Sequence, residues 1–108
     1  MKRGSIYWIN LEPASPPELG KTRPGIVVSN TEQNLRLPSV VIIPLSTQSP
    51  EIWPLRLELS LSKGKKSYAV LPGIRQVSKK RFHEMIGTVP AEFLEKLDDA
   101  LQAYLSDH

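Results

Sequence analysis

Leucine occupies every second position from Leu55 to Leu61, with Arg56, Glu58 and Ser60 between. Strand side chains point alternately to opposite faces, so this spacing predicts a half-exposed strand over 55–61. KGKK at 63–66 reads as a turn and SYAVL at 67–71 as the return strand, which makes 55–71 a hairpin with a basic tip. SIYWINL at 5–11 and PGIVVS at 24–29 are further β-prone runs. SVVIIPL at 39–45 is so continuously apolar that it predicts a strand covered on both faces. Near the end the period changes: Phe93, Leu94, Leu97, Ala100, Leu101, Tyr104 and Leu105 recur at three and four, acids lie between them, and Pro90 suits a helix start. A second, short helix is expected over 78–83. Together these elements predict a mainly β domain spanning 1–108, a small, strongly bent sheet or partly open barrel with one C-terminal helix across it.

Composition supports that picture and narrows the chemistry. All 10 prolines fall within the first 90 residues, which argues against a helical bundle there. No segment approaches the roughly 18 apolar residues of a membrane span, and the apolar stretch after the basic start is interrupted too soon for a signal peptide, so a cytoplasmic protein is expected. The absence of cysteine excludes disulfides, a thiol nucleophile and cysteine-based metal sites. His83 and His108 are far apart and read as solvated, so neither a metal site nor a histidine acid–base pair is expected. There is no Gly-x-Ser-x-Gly elbow, Walker loop or GxGxxG, and no cofactor is expected.

The net charge is only +3, but it is unevenly spread. Lys63, Lys65, Lys66, Arg75, Lys79, Lys80 and Arg81 lie between Leu59 and His83 with no acid among them, whereas acids dominate from Glu84 onward. Such a basic stretch is the footprint of a polyanion partner.

Two connections, EPASPPELGKT at 12–22 and STQSPEIWP at 46–54, exceed what joining strands requires, and loops of this kind are where a small barrel builds its site. Arg23 heads one predicted strand, and Ser46, Thr47 and Gln48 follow the next. If those strands are neighbours, a guanidinium and hydroxyl donors open into one groove and can hold a phosphate. The guanidinium fork matches two phosphate oxygens, and its charge stabilises a phosphorane as negative charge builds up. RNA carries its own nucleophile, the 2′-OH, so cleavage then needs only a base, and Glu18 is the acid closest in sequence to Arg23. The same residues also suit a plainer reading, in which Arg23 and Glu18 are solvated loop charges and the hydroxyls satisfy turn backbone.

RGSIYWINLEP, ELGKTRPGIVVSN, VVIIPLSTQS, GIRQVSKKRF and VPAEFLEKLDDAL, in that order over nearly the whole chain, resemble the MazF/PemK family of toxin endoribonucleases from type II toxin–antitoxin pairs. The resemblance implies an SH3-like MazF/CcdB-type barrel, a homodimer, and metal-independent cleavage of single-stranded RNA to a 2′,3′-cyclic phosphate and a 5′-hydroxyl. It further implies a MazE-like antitoxin that blocks the groove and through which the complex binds operator DNA. Arg23 falls on the family's catalytic arginine, Glu18 on an acidic loop position, and Ser46 where the family usually has a catalytic threonine. Lys21, Thr22, Thr47, Gln48, Arg75, Gln76 and Arg81 fall in the matching segments as expected RNA contacts. Trp53 reads first as a lid on the core and second as a platform for an unpaired base. Gly73 and Ser78 depart from the family pattern, which bears on base preference. Two other classes of function stay open on sequence: a toxin that poisons gyrase from the same fold, and a non-catalytic module that binds RNA or antitoxin.

Overall fold

The computed structural model describes residues 1–62 and 64–107; Lys63, at the expected hairpin tip, and His108 lie outside them. The elements are β1 (Ser5–Asn10), β2 (Thr22–Val27), α1 (Thr31–Arg36), β3 (Ser39–Ser46), β4 (Arg56–Ser62), β5 (Lys65–Val70), β6 (Arg75–Ser78), β7 (Phe82–Thr88) and α2 (Ala91–Leu105). The strands form one antiparallel sheet in the order β4-β5-β3-β2-β1-β7, with β6 pairing to β3 off that path. β3 is the branch point. Ser39 to Ile42 pair with β6, whereas Leu45 and Ser46 pair with Ala69 and Tyr68 of β5. Pro44, which has no N–H to donate, stands where the partner changes. The sheet bends at that fork into a partly open barrel.

β2 and β3 carry apolar side chains on both faces because each face has its own core. Ile26 and Ile43 join a cluster with Ile6, Leu45, Leu57, Ala69 and Leu71, which α2 covers through Phe93, Leu97 and Ala100. Val27 and Ile42 join Ile9, Leu11, Val40 and Val77 in a second cluster, against which Tyr7 and Phe82 pack. Continuous apolarity at 39–45 thus reflects two-sided burial. On β4, Leu57 and Leu59 are buried while Glu58 and Ser60 are exposed, as alternation requires. A fully buried leucine such as Leu97 contributes about 1.5–3 kcal/mol relative to leaving it in water.

Several sequence expectations change. Leu55, expected on the buried face of the strand, precedes β4 and is 40% exposed, and Lys65 and Lys66, expected in the turn, begin β5. The short helix over 78–83 is a 3₁₀ turn, Lys79–Arg81, between two strands, capped by Ser78 Oγ accepting from the Lys80 N–H. Leu105 is 68% exposed, one position beyond the buried stripe of α2. Trp53 is not a lid on the core, since it is 51% exposed.

The connection after Ser46 is pinned to α2 by one carboxylate. Glu51 accepts from Lys96 Nζ at 2.8 Å through Oε1 and from the Glu58 N–H at 3.0 Å through Oε2. The Lys96 bond first, then the Glu58 N–H, hold this carboxyl below its ordinary 4.5. A lowered folded-state value means that the stabilisation is complete at neutral pH and is lost as pH falls below 4.5. Glu51→Gln is therefore expected to cost about 0.5–1 kcal/mol at pH 7, the pair being partly exposed. The gap between the two proteins' denaturant midpoints should close under acid; a gap that persists unchanged there would contradict the assignment.

Candidate active site

Gly25 of β2 pairs with Pro44 of β3 at the end of their ladder, and Arg23 and Ser46 lie two residues beyond that pair, at the same end of the two strands. Arg23 is half-buried, and its Nε donates to the Gly20 carbonyl at 2.8 Å. That bond fixes the plane of the guanidinium, while Nη1 and Nη2 keep no partner among the described residues. Ser46 is 7% exposed. Its Oγ accepts from the Gln48 N–H at 3.1 Å, which orients the hydroxyl and leaves its O–H to donate.

Both residues line a groove of about 790 Å³ together with Lys21, Thr22, Thr47, Lys65, Lys66 and Ser67, and with the apolar Trp8, Pro24, Leu61 and Ile86. Among the described residues, Lys21, Arg23, Lys65 and Lys66 bring four cations to it and no carboxylate lines it. Lys21 adopts φ 66°, a left-handed conformation that costs a non-glycine residue of order 1 kcal/mol. Its N–H donates to Glu12 Oε1 at 2.5 Å and its carbonyl accepts from the Leu11 N–H at 2.9 Å, so the loop holds that conformation from two sides. The groove is thus a concave, cationic, hydroxyl-bearing surface with apolar residues in its lining, suited to a phosphodiester with a base beside it.

The remaining expected residues divide between an adjoining groove and the surface. Glu18, Gln48 and Arg75 line a second cavity of about 420 Å³ with Pro44, Arg56 and Gly73. Glu18 Oε1 caps its own turn by accepting from the Ser15 N–H at 2.8 Å. Arg75 Nη1 donates to the Leu11 carbonyl at 3.3 Å. Gly73 lies so close to Pro44 that an added Cβ would come within 2.6 Å of its ring, so a longer side chain there would require the backbone to shift. The two grooves meet along the chain, since 18–19 and 48 face one while 21–23 and 46–47 face the other. Gln76, Arg81 and Trp53 line neither. Gln76 Nε2 donates to Ser39 Oγ at 2.6 Å, and Arg81 ties the 3₁₀ turn to the carbonyls of Asn10 and Glu12.

Besides the aliphatic Pro24, Leu45, Leu61 and Ile86, the residues of the first groove that sequence reasoning did not select are Trp8, Lys65, Lys66 and Ser67. The hairpin lysines carried a signal, since they belong to the acid-free basic stretch. Trp8 carried none, because it lies inside a β-prone run; only its pairing with Pro24, beside Arg23, puts it at the site. Among the described residues no three His, Asp or Glu side chains gather.

The family model of the PemK-like, MazF-like toxins of type II toxin–antitoxin systems matches residues 2–105. Endoribonuclease MazF9 of Mycobacterium tuberculosis is 30% identical over 113 residues, covering 97% of this chain and 96% of its own. Endoribonuclease EndoA of Bacillus subtilis is 28% identical over 110 residues, covering 98% and 95%. Among solved structures, MazF from Deinococcus radiodurans superposes with a TM-score of 0.84 at 22% identity over 97% of this chain and 96% of its own. A mycobacterial endoribonuclease in complex with its cognate antitoxin gives 0.80 at 23% identity over 100% and 99%. With the bent barrel, the C-terminal helix and a family match that leaves out only the chain's extreme ends, the chain belongs to the PemK-like, MazF-like toxins of type II toxin–antitoxin systems.

Proposed function

We propose that this chain is a metal-independent endoribonuclease that cleaves single-stranded mRNA by attack of the 2′-OH on its own phosphodiester, leaving a 2′,3′-cyclic phosphate and a 5′-hydroxyl. The observation that carries the proposal is that Arg23 of β2 and Ser46 of the adjacent β3 line one groove, which among the described residues gathers Lys21, Lys65 and Lys66 and no carboxylate. The Nη atoms of Arg23 grip the non-bridging oxygens and stabilise the charge that accumulates in the phosphorane, and the Ser46 O–H donates to the same phosphate. Glu18, across the divide between the grooves, takes the 2′-OH proton as the O2′–P bond forms. The P–O5′ bond then breaks, and the leaving oxygen takes a proton from water or by relay through Arg23. Lys21, Thr22 and Thr47 flank the scissile phosphate, while Gln48 and Arg75 meet the strand in the second groove.

The chain acts as a homodimer and is silenced by a MazE-like antitoxin. An acidic antitoxin segment suits a groove built for phosphates, and the toxin–antitoxin pair reaches operator DNA through the antitoxin. The Deinococcus neighbours include MazE–MazF structures, which supports the pairing. The test is to incubate the purified protein with a long transcript in EDTA. Discrete fragments with cyclic phosphate ends are expected, and RNA left intact in EDTA but cut when a divalent cation is restored would count against the mechanism.

A further inference from the structure

We infer that Lys65 and Ser67 form a second phosphate seat, which holds the RNA backbone at the phosphate next to the one gripped by Arg23 and Ser46. The inference rests on the proposed endoribonuclease reading and adds binding residues to it. β5 lies on the other side of Ser46 from Arg23, since Ser46 pairs with Tyr68. Lys65 and Ser67 are two residues apart on that strand and therefore share a face, and both line the groove. Lys65 stands three positions from Tyr68, about 10 Å along the strand. Its long side chain brings the neighbouring phosphate of an extended strand within reach.

Charge separates Lys65 from its neighbour. Lys66 Nζ lies 3.5 Å from Glu58 Oε1, which also accepts from the Tyr68 hydroxyl at 3.3 Å, so Lys66 already has an acidic partner. Lys65 has none among the described residues. Ser67 is a polar residue in apolar surroundings: it is 8% exposed and pairs with buried Leu59 beside Ala69 and Leu61. The described residues include four buried polar side chains, and two of them, Ser46 and Ser67, line this one groove. Packing alone would be served there by alanine. A hydroxyl donor beside an unanswered ammonium is the chemistry that holds phosphate oxygens.

The seat lies away from the bond that breaks, so it should act on binding rather than on the chemical step. Lys65→Ala, Ser67→Ala and the double variant are compared with wild type in two assays. One is cleavage of a long transcript. The other is binding of a short single-stranded 2′-O-methyl RNA, which has no free nucleophile, between about 50 and 200 mM salt. Lys65→Ala is expected to raise KM about fivefold with kcat within about twofold, and to reduce the salt slope of binding by about 0.7, the share of one phosphate. Lys65→Arg should restore the slope. Lys79→Ala, on the turn outside the groove, controls for loss of positive charge in general. A Lys65→Ala slope equal to that of wild type, or no larger a change than Lys79→Ala gives, would overturn the seat even if the enzyme cleaves. Binding that depends on Lys65 without any cleavage would keep the seat and overturn the nuclease reading. No binding of RNA at all would overturn both.

Discussion

Arg23→Ala is expected to lower kcat about 10²–10³-fold, the loss that follows removal of one preorganised group from a site of developing negative charge. The fold should survive, because Arg23 is half-buried and its guanidinium's one hydrogen bond among the described residues is from Nε to the Gly20 carbonyl. An unchanged denaturant midpoint therefore accompanies the lost rate. Arg23→Lys should recover little: it restores a charge but not the planar fork, and an ammonium cannot keep the Gly20 bond while offering two parallel donors to phosphate. Single-turnover cleavage separates the cases, since KM should move less than kcat if Arg23 acts mainly on the transition state. A variant that binds and cleaves as wild type does would remove Arg23 from the mechanism.

Glu18→Gln is expected to lower kcat about 10²–10⁴-fold, the usual contribution of a positioned general base. Glutamine isolates the chemistry from the scaffold. Its amide oxygen can still accept from the Ser15 N–H, so the turn persists, but it cannot take a proton from the 2′-OH. The test is sharpened by where Glu18 sits. Its carboxylate lines the adjoining groove rather than the one holding Arg23 and Ser46, so a base role requires the scissile nucleotide to straddle the divide. Full activity in Glu18→Gln would leave this residue as a turn cap and place the base elsewhere.

Where a pattern came from burial, the chain could be read directly. Alternating leucines marked β4, unbroken apolarity marked β3, and a three-and-four repeat marked α2. β7 escaped because it is an edge strand in which no residue is buried and His83, Glu84, Met85 and Ile86 are exposed in succession, so there was no inward–outward alternation to find. α1 escaped because TEQNLR has no apolar stripe; Asn34 is its buried residue, and its local signals are only the Asn30 cap, Glu32 in the first turn and Arg36 in the last. The Arg23–Ser46 partnership was readable as two polar groups at strand ends, but whether the strands were neighbours, and in what register, is decided by long-range pairing. The same limit explains Glu18, close to Arg23 in sequence yet turned into the next groove. It also explains Trp8 and Ser67, which reach the site through cross-strand pairing and carry no mark of their own.

The most direct measurement uses two RNAs of the same sequence, one all-ribose and one with a single 2′-deoxy nucleotide on the 5′ side of the cut bond, each incubated with wild-type protein in EDTA. Attack by the 2′-OH requires a 2′,3′-cyclic phosphate and a 5′-hydroxyl from the first, and no cut at that bond in the second. Cleavage of the deoxy-substituted bond, or a product carrying a 5′-phosphate, would contradict it.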